Sequence, residues 1–230
     1  AALIEARNAL QHNPDLPRAR YLLGMGLFAS GDSTGAEAAL RKALASGHSA
    51  DETVPALARV MLVLKQFQPL IDEFDGTTLQ QADAIASLAT SLSIAHRAVG
   101  DAGQADTALA AALQSDPQYV PARLLQIRQQ AARGDIDGAL AEIDALLARQ
   151  GSDIGAWLVK GDLLRDGQGR NAEAAVAYRK VIEIQPSLAT GYLATVDTLL
   201  RLGKTDEAAE LLTQLGKRAP GSVRGLYLQA

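Results

Sequence analysis

The 230-residue sequence contains no cysteine. That excludes a disulfide framework, a thiolate nucleophile and a cysteine-ligated zinc site, and it leaves both cytosol and periplasm open as compartments. Aromatic residues are only 4% of the chain, too few for a β-rich core built on rings, whereas Ala and Leu are plentiful and suit helices packed closely on small side chains. The expected class is all-α. Basic residues are not in excess: the net charge is −4, the pI is about 5.4, and Lys and Arg are scattered among acids. A nucleic-acid binder would show a basic patch, so no nucleic-acid partner is expected. No run approaches the about 18 apolar residues of a membrane span, and no charged segment followed by an apolar one opens the sequence. The chain starts directly in a helical pattern and ends at Val223–Ala230 on what reads as the start of a further helix, as a fragment of a longer protein would.

An internal repeat decides the architecture. Pro117, Gly151, Pro186 and Pro220 each close an apolar-periodic helix, at separations of 34, 35 and 34 residues, and Pro14 and His48 keep the same step upstream. Between them the sequence rhymes. Gly31-Asp32 is followed by Ala36, Leu40 and Ala43; Gly100-Asp101 by Ala105, Leu109 and Ala112; Gly134-Asp135 by Ala139, Ile143 and Leu146; Gly203-Lys204 by Ala208, Leu212 and Leu215. Each unit is therefore a helix, a tight turn and a second helix. The glycine takes the left-handed cap at little steric cost, and the following Asp caps the second helix. Gly24, Gly161, Ala105, Ala139, Ala174 and Ala208 fall where two helices would cross closely, and a proline cannot continue the helix before it. The spacing predicts a single solenoid over 1–230 of about six hairpins, at roughly 17–47, 51–80, 82–116, 120–150, 154–185 and 189–219. Residues 1–13 are the second helix of a preceding unit, and 223–230 begin a following one. Two places depart from the pattern. Lys65-Gln66 stands where Gly-Asp is expected, ahead of a short second helix, which predicts an irregular hairpin over 51–80. Asp166–Asn171 carries one extra residue, expected to bulge outward.

These residues resemble the tetratricopeptide repeat. Ala156-Trp157, Gly161, Ala174, Tyr178, Val181 and Pro186 follow its pattern most closely, and Tyr21, Gly24, Ala36, Leu40 and Ala43, with Tyr192, Leu199, Gly203, Ala208 and Pro220, support it. The resemblance implies an α-α superhelix whose first helices line the concave surface, used for holding protein partners. The first 75 residues, including Asn8–Asp15, Ala19–Gly24, Gly35–Leu44 and Val54–Phe67, are further similar to the tetratricopeptide-repeat lipoprotein of the PEP-CTERM/exosortase system. That narrower resemblance implies a bacterial periplasmic or outer-membrane-associated location linked to exopolysaccharide; no lipobox is present here, and a cytoplasmic location stays open.

By repeat register the concave face would carry Tyr21, Met25 and Phe28, then Arg59 and Arg97, then Leu124 and Arg128, then Leu158, Asp162 and Arg165, and finally Asp197 and Arg201. An apolar floor with spaced arginines suits an extended peptide or an acidic polymer, because Arg presents a planar donor fork to carboxylates. The competing reading is that these arginines merely solvate the stack. Tyr21, Met25 and Phe28 lie at i, i+4 and i+7, one helical stripe, which is either core or a peptide-contacting patch. The Lys/Asn clamp by which some chaperone-binding relatives grip a terminal carboxylate is missing.

His12, His48 and His96 are too far apart for a local ligand pair and are expected to be packing or surface residues. Gly24-Met-Gly26 and Gly167-Gln-Gly169 lack the strand and the Lys-Ser/Thr of a phosphate loop. No acid/base pair or Ser-His-Asp set is placed together, so no catalytic residue, cofactor or metal is expected. The expected function is a non-enzymatic scaffold binding a protein or extended peptide. The alternatives are the substrate-recruiting arm of a larger enzyme, such as a glycosyltransferase, and a structural spacer.

Overall fold

A computed structural model describes residues 2–13 and 15–218. Every regular element among them is helical. The chain falls into two compact units, residues 1–123 and 124–230. Pro14, Pro220 and the segment 223–230 lie outside the described residues.

The first unit contains α1 (Ala2–His12), α2 (Pro17–Ala29), α3 (Ser33–Ala45), α4 (Ala50–Val63), α5 (Phe67–Phe74), α6 (Ala82–Ala98) and α7 (Ala102–Ser115). The turn between α2 and α3 shows how the sequence reverses the chain. Gly31 sits at φ 88°, its N–H bonds the Phe28 carbonyl at 3.0 Å, and the Asp32 N–H reaches back to the Leu27 carbonyl at 2.9 Å, so the last carbonyls of α2 are satisfied. The Asp32 carboxylate then accepts from the Gly35 N–H at 2.8 Å and caps α3. Asp101 repeats the cap on Gln104 at 3.0 Å.

Lys65 makes the same reversal without glycine. It holds φ 57°, with Lys65 N–H to the Leu62 carbonyl at 3.0 Å and Gln66 N–H to the Met61 carbonyl at 2.9 Å. The turn in this hairpin is therefore regular. What departs is the length of α5, 8 residues against 13 or 14 in α3 and α7. The following loop is tied down instead: the Asp51 carboxylate accepts from the Gln80 and Gln81 N–H groups at 2.7 and 3.0 Å, and Leu79 is buried. The core of this unit gathers Leu40, Leu57, Met61, Leu70, Phe74 and Leu88, with Tyr21, Met25 and Phe28 packed against it.

The second unit holds the greater part of α8 (Val120–Ala132), then α9 (Ile136–Arg149), α10 (Ile154–Asp162), α11 (Asn171–Ile184), α12 (Ala189–Arg201) and α13 (Thr205–Arg218). Asp135 and Asp153 cap α9 and α10 from the Gly138 and Ala156 N–H groups, at 3.0 and 2.7 Å. Before Pro186, Gln185 is forced to φ −133° and ψ 85°, and α11 ends there. The extra residue of this unit does not bulge outward. It is absorbed in a π turn at Leu163–Gly167, closed by a bond from Arg170 N–H to the Leu164 carbonyl at 2.8 Å. Leu163 and Leu164 stay buried, and a Cβ added at Gly167 would lie 2.6 Å from Ile136 Cδ1, so widening the helix keeps the turn packed against α9. In α13 the buried set is Ala208, Leu211 and Leu215; Leu212, its expected core position, is exposed.

The small residues stand at the crossings. Ala105, Ala139, Ala174 and Ala208 are buried, a Cβ on Gly24 would come 2.7 Å from Leu40 Cγ, and one on Gly161 would fall on the Tyr178 ring. No described helix is long and apolar enough to cross a membrane.

Candidate functional site: the first-helix faces

In the first unit the predicted stripe serves mainly as packing. Tyr21, Met25 and Phe28 are half-buried against the core, and the Tyr21 ring stacks on His48 with centroids 4.5 Å apart and planes 11° off parallel. His48 Nδ1 lies 2.8 Å from Thr53 Oγ1 and its Nε2 3.2 Å from Glu52, so this histidine joins α2 to α4 and is a packing residue. Burial, with Glu52 adding to it, raises the Tyr21 phenol above its ordinary value, and Arg59 opposes the shift. Arg59 itself is exposed and has no hydrogen-bond or ion-pair partner among the described residues. Arg97 pairs with Asp106 of α7. His96 is buried 3.7 Å from Asp75, while His12 is exposed. No group of three or more His, Asp or Glu that could hold a metal occurs among the described residues.

The second unit brings most of its predicted residues into one network. Arg165 leaves the π turn and forks the carboxylate of Asp166, Nε to Oδ1 at 2.8 Å and Nη2 to Oδ2 at 2.7 Å. The same guanidinium lies 3.6 Å from Asp162 and 3.6 Å from Asp197, and 5.6 Å above the centre of the Tyr178 ring. The Tyr178 O–H donates to Asp162 at 2.7 Å. Arg128 of α8 approaches Asp162 at 3.8 Å, and Arg201 donates to Asp197 at 3.0 Å. Three first helices are thus joined by a ladder of three arginines and three aspartates. Leu124 is buried, 3.0 Å from where a Cβ on Gly155 would sit, and Leu158 is half-buried.

The electrostatics follow from the pairing. Arg165 holds the Asp166 carboxyl below its ordinary range, chiefly by the hydrogen-bonded fork, and Asp166 in turn raises the arginine. Burial raises the Tyr178 phenol far above its usual value, and Asp162, which accepts its proton, pushes the same way. The arginines had two open readings, donors spaced over an apolar floor or charges solvating the stack; Arg97, Arg128, Arg165 and Arg201 are each matched by an aspartate, whereas Arg59 stays open. Two members of the ladder escaped the register argument. Asp166 lies in the inserted turn, where repeat alignment assigns no position, and Tyr178 belongs to a second helix. For Asp166 the signal was the extra residue itself, whereas Tyr178 was read only as a position of the repeat pattern.

Tetratricopeptide-repeat family models match residues 1–51 and 124–189, and, in a second case, 167–230. The chain belongs to the tetratricopeptide-repeat family. The solved tetratricopeptide-repeat protein TTC0263 of Thermus thermophilus is similar over 80% of this chain and all of its own, with 23% identity and a TM-score of 0.65. A human IFIT1 dimer with m7Gppp-AAAA is similar over 93% of this chain and 54% of its own, with 14% identity and a TM-score of 0.64. This tetratricopeptide-repeat chain thus spans about half the length of IFIT1. At these identities the likeness is one of fold. No curated protein matches the sequence.

Proposed function

We propose that the chain is a non-enzymatic scaffold that holds a protein or an extended peptide on its first-helix faces. Tetratricopeptide repeats are protein-interaction modules, which supports the class. The observation that carries the reading is the ladder of the second unit: six charged side chains from three consecutive first helices, arranged side by side with no nucleophile, acid/base pair or metal-ligand set among them. A probe array of 15-residue peptides, read with the parent and with an Arg59→Glu/Arg201→Glu variant, tests it. The expected result is a set of bound peptides that weakens in the variant. An identical set with unchanged intensity would move the site off these faces, and an array with no bound peptide would favour a structural spacer.

IFIT1 shows that a similar fold can be occupied by a capped RNA. The net charge of −4 and the pairing of the ladder arginines favour protein here, and a capped oligoadenylate in the same assay makes RNA an explicit outcome. A finer setting, a bacterial envelope export or exopolysaccharide system, is supported by the resemblance of the first 75 residues to the PEP-CTERM-associated lipoprotein. The full reading frame tests that setting: a lipobox cysteine favours it, whereas a catalytic domain downstream favours the recruiting arm of an enzyme.

A further inference from the structure

The ladder shows a partner only part of its charge. The Arg165 side chain is 19% exposed, covered by the groups it binds, whereas Asp162, Asp166 and Asp197 remain 44%, 58% and 51% exposed. Arg128 and Arg201, at the two outer helices, are each 54% exposed. Read from α8 through α10 and its π turn to α12, the accessible charges are positive, then three negative, then positive. The carboxylates keep unused acceptor capacity: the Arg201 hydrogen bond falls on Asp197 Oδ2, and Oδ1 accepts no hydrogen bond among the described residues. Contacts of 3.8, 3.6, 3.6 and 3.0 Å link Arg128, Asp162, Arg165, Asp197 and Arg201 in turn, which limits the stripe across three first helices to about 20 Å. An extended chain covers that length in about six residues.

We infer that this stripe recognises an extended peptide segment with a central Arg or Lys and acidic residues about three positions to either side. The central cation takes up the remaining lone pairs of the exposed Asp162, Asp166 and Asp197 carboxylates beside Arg165, and the flanking acids meet Arg128 and Arg201. The one-residue insertion takes a direct part, because the π turn carries both Arg165, which draws the aspartates together, and Asp166, which adds the third carboxylate. The inference rests on the proposed scaffold function and specifies its ligand. It also runs against the simplest electrostatic expectation. A chain of net charge −4 should attract a cationic peptide in preference to an anionic one.

The test uses two fluorescein-labelled peptides, Glu-Ser-Thr-Arg-Thr-Ser-Glu and its charge-swapped form Arg-Ser-Thr-Glu-Thr-Ser-Arg, titrated with the 230-residue chain at low salt and read by anisotropy. The first, although net negative, is expected to bind about tenfold more tightly, the sum of a few exposed ion pairs. Asp166→Asn/Asp197→Asn combined with Arg128→Gln/Arg201→Gln, which removes both halves of the charge pattern, should abolish the preference. Asp197→Arg/Arg201→Asp, which keeps the i,i+4 ion pair of α12 but loses the contact with Arg165, should weaken the first peptide with only a small change in thermal melting. Equal binding of the two peptides, a preference for the swapped one, or a preference that survives the combined loss of these four charges overturns the inference. If neither peptide binds but array peptides do, the ligand chemistry is wrong and the scaffold reading stands; if nothing binds in either experiment, both fall.

Discussion

The two units solve the same packing problem with different faces. In the first, the first-helix stripe is spent on the core: Tyr21 stacks on His48, Met25 and Phe28 cover α4, and Arg59 is left open. In the second, the corresponding helices carry an ion-pair ladder centred on Arg165, anchored from below by the Tyr178 ring and hydroxyl. The difference traces to one inserted residue. Where the first helix carries the extra residue, it widens into a π turn and brings Arg165 and Asp166 together with Asp162 and Asp197; where the second helix is short, at α5, a loop pinned by Asp51 completes the repeat length. An extra residue taken into a helix end adds to a charged face, whereas a helix cut short by a loop makes only a different connection.

The strongest way to break this contrast is to remove the anchor. Tyr178→Ala should cost about 3–5 kcal/mol, because a fully buried aromatic leaves a cavity. It should also release Asp162 and Arg165, so hydrogen exchange ought to rise through α10, α11 and α12 together. Leu57→Ala in the first unit should cost about 2–5 kcal/mol through its cavity alone and leave the Arg97–Asp106 pair intact. If the two variants raise exchange over equally narrow regions, the ladder is not coupled to the core beneath it.

Close crossings come next. Gly161→Ala places a methyl group on the Tyr178 ring, whereas Gly24→Ala meets the end of the more yielding Leu40 side chain and the Ala36 carbonyl. Overpacking of this kind costs about 1–3 kcal/mol, offset by about 1 kcal/mol of helix propensity that alanine restores. Thermal melting should therefore show Gly161→Ala as clearly destabilised and Gly24→Ala as less so.

How far the sequence discloses these features depends on what the repeat period constrains. Gly31, Gly134, the capping aspartates and the buried alanines were readable because backbone geometry and close approach leave few residues acceptable there. The first-helix register grouped Arg128, Asp162, Arg165, Asp197 and Arg201, residues that ion-pair contacts link in the structure. Their mutual pairing was not readable, since it depends on which rows of adjacent helices face each other and on how an inserted residue is absorbed. A loop bulge and a π turn have the same sequence signature, and only the π turn draws Asp166 to Arg165. Lys65 misled in the other direction: the lack of glycine suggested an irregular turn, yet a lysine can hold the left-handed position at an energetic cost.

That cost gives a prediction in the first unit with a counterpart in the second. Lys65→Gly removes a left-handed strain of about 1–2 kcal/mol and should raise stability by roughly 0.5–1 kcal/mol, after the added freedom of the unfolded chain is subtracted. Gly134→Ala, at φ 97°, should lower it by a similar or larger amount. Opposite signs in chemical denaturation would establish that the two turns share one geometry despite their sequences. Equal signs would mean that the Lys65 side chain contributes interactions beyond its backbone.

The smallest expected effect is the dependence on acid, and it separates the two faces most directly. Asp166 is held below the ordinary carboxyl range by Arg165, Asp135 by Gln130 and the Gly138 N–H, and Glu207 by Lys204 and Arg179; all three lie in the second unit. A carboxyl whose folded value is depressed binds its proton more readily when unfolded. It therefore contributes stability that is present above the unfolded value, about 4, and is lost as pH falls through the lower folded value. Solvent screening keeps the Asp166 share to about 0.5 kcal/mol. Hydrogen exchange measured while pH is lowered from about 5 towards 2 should then show protection declining in α10 and α12 before it declines in α4 and α6, once the intrinsic exchange rate is divided out. Asp166→Asn should flatten that decline by removing the titrating group, and raised salt should flatten it by screening the pair. If α4 and α6 lose protection first, or if Asp166→Asn leaves the profile unchanged, the fork on Arg165 does not contribute to holding the second face together.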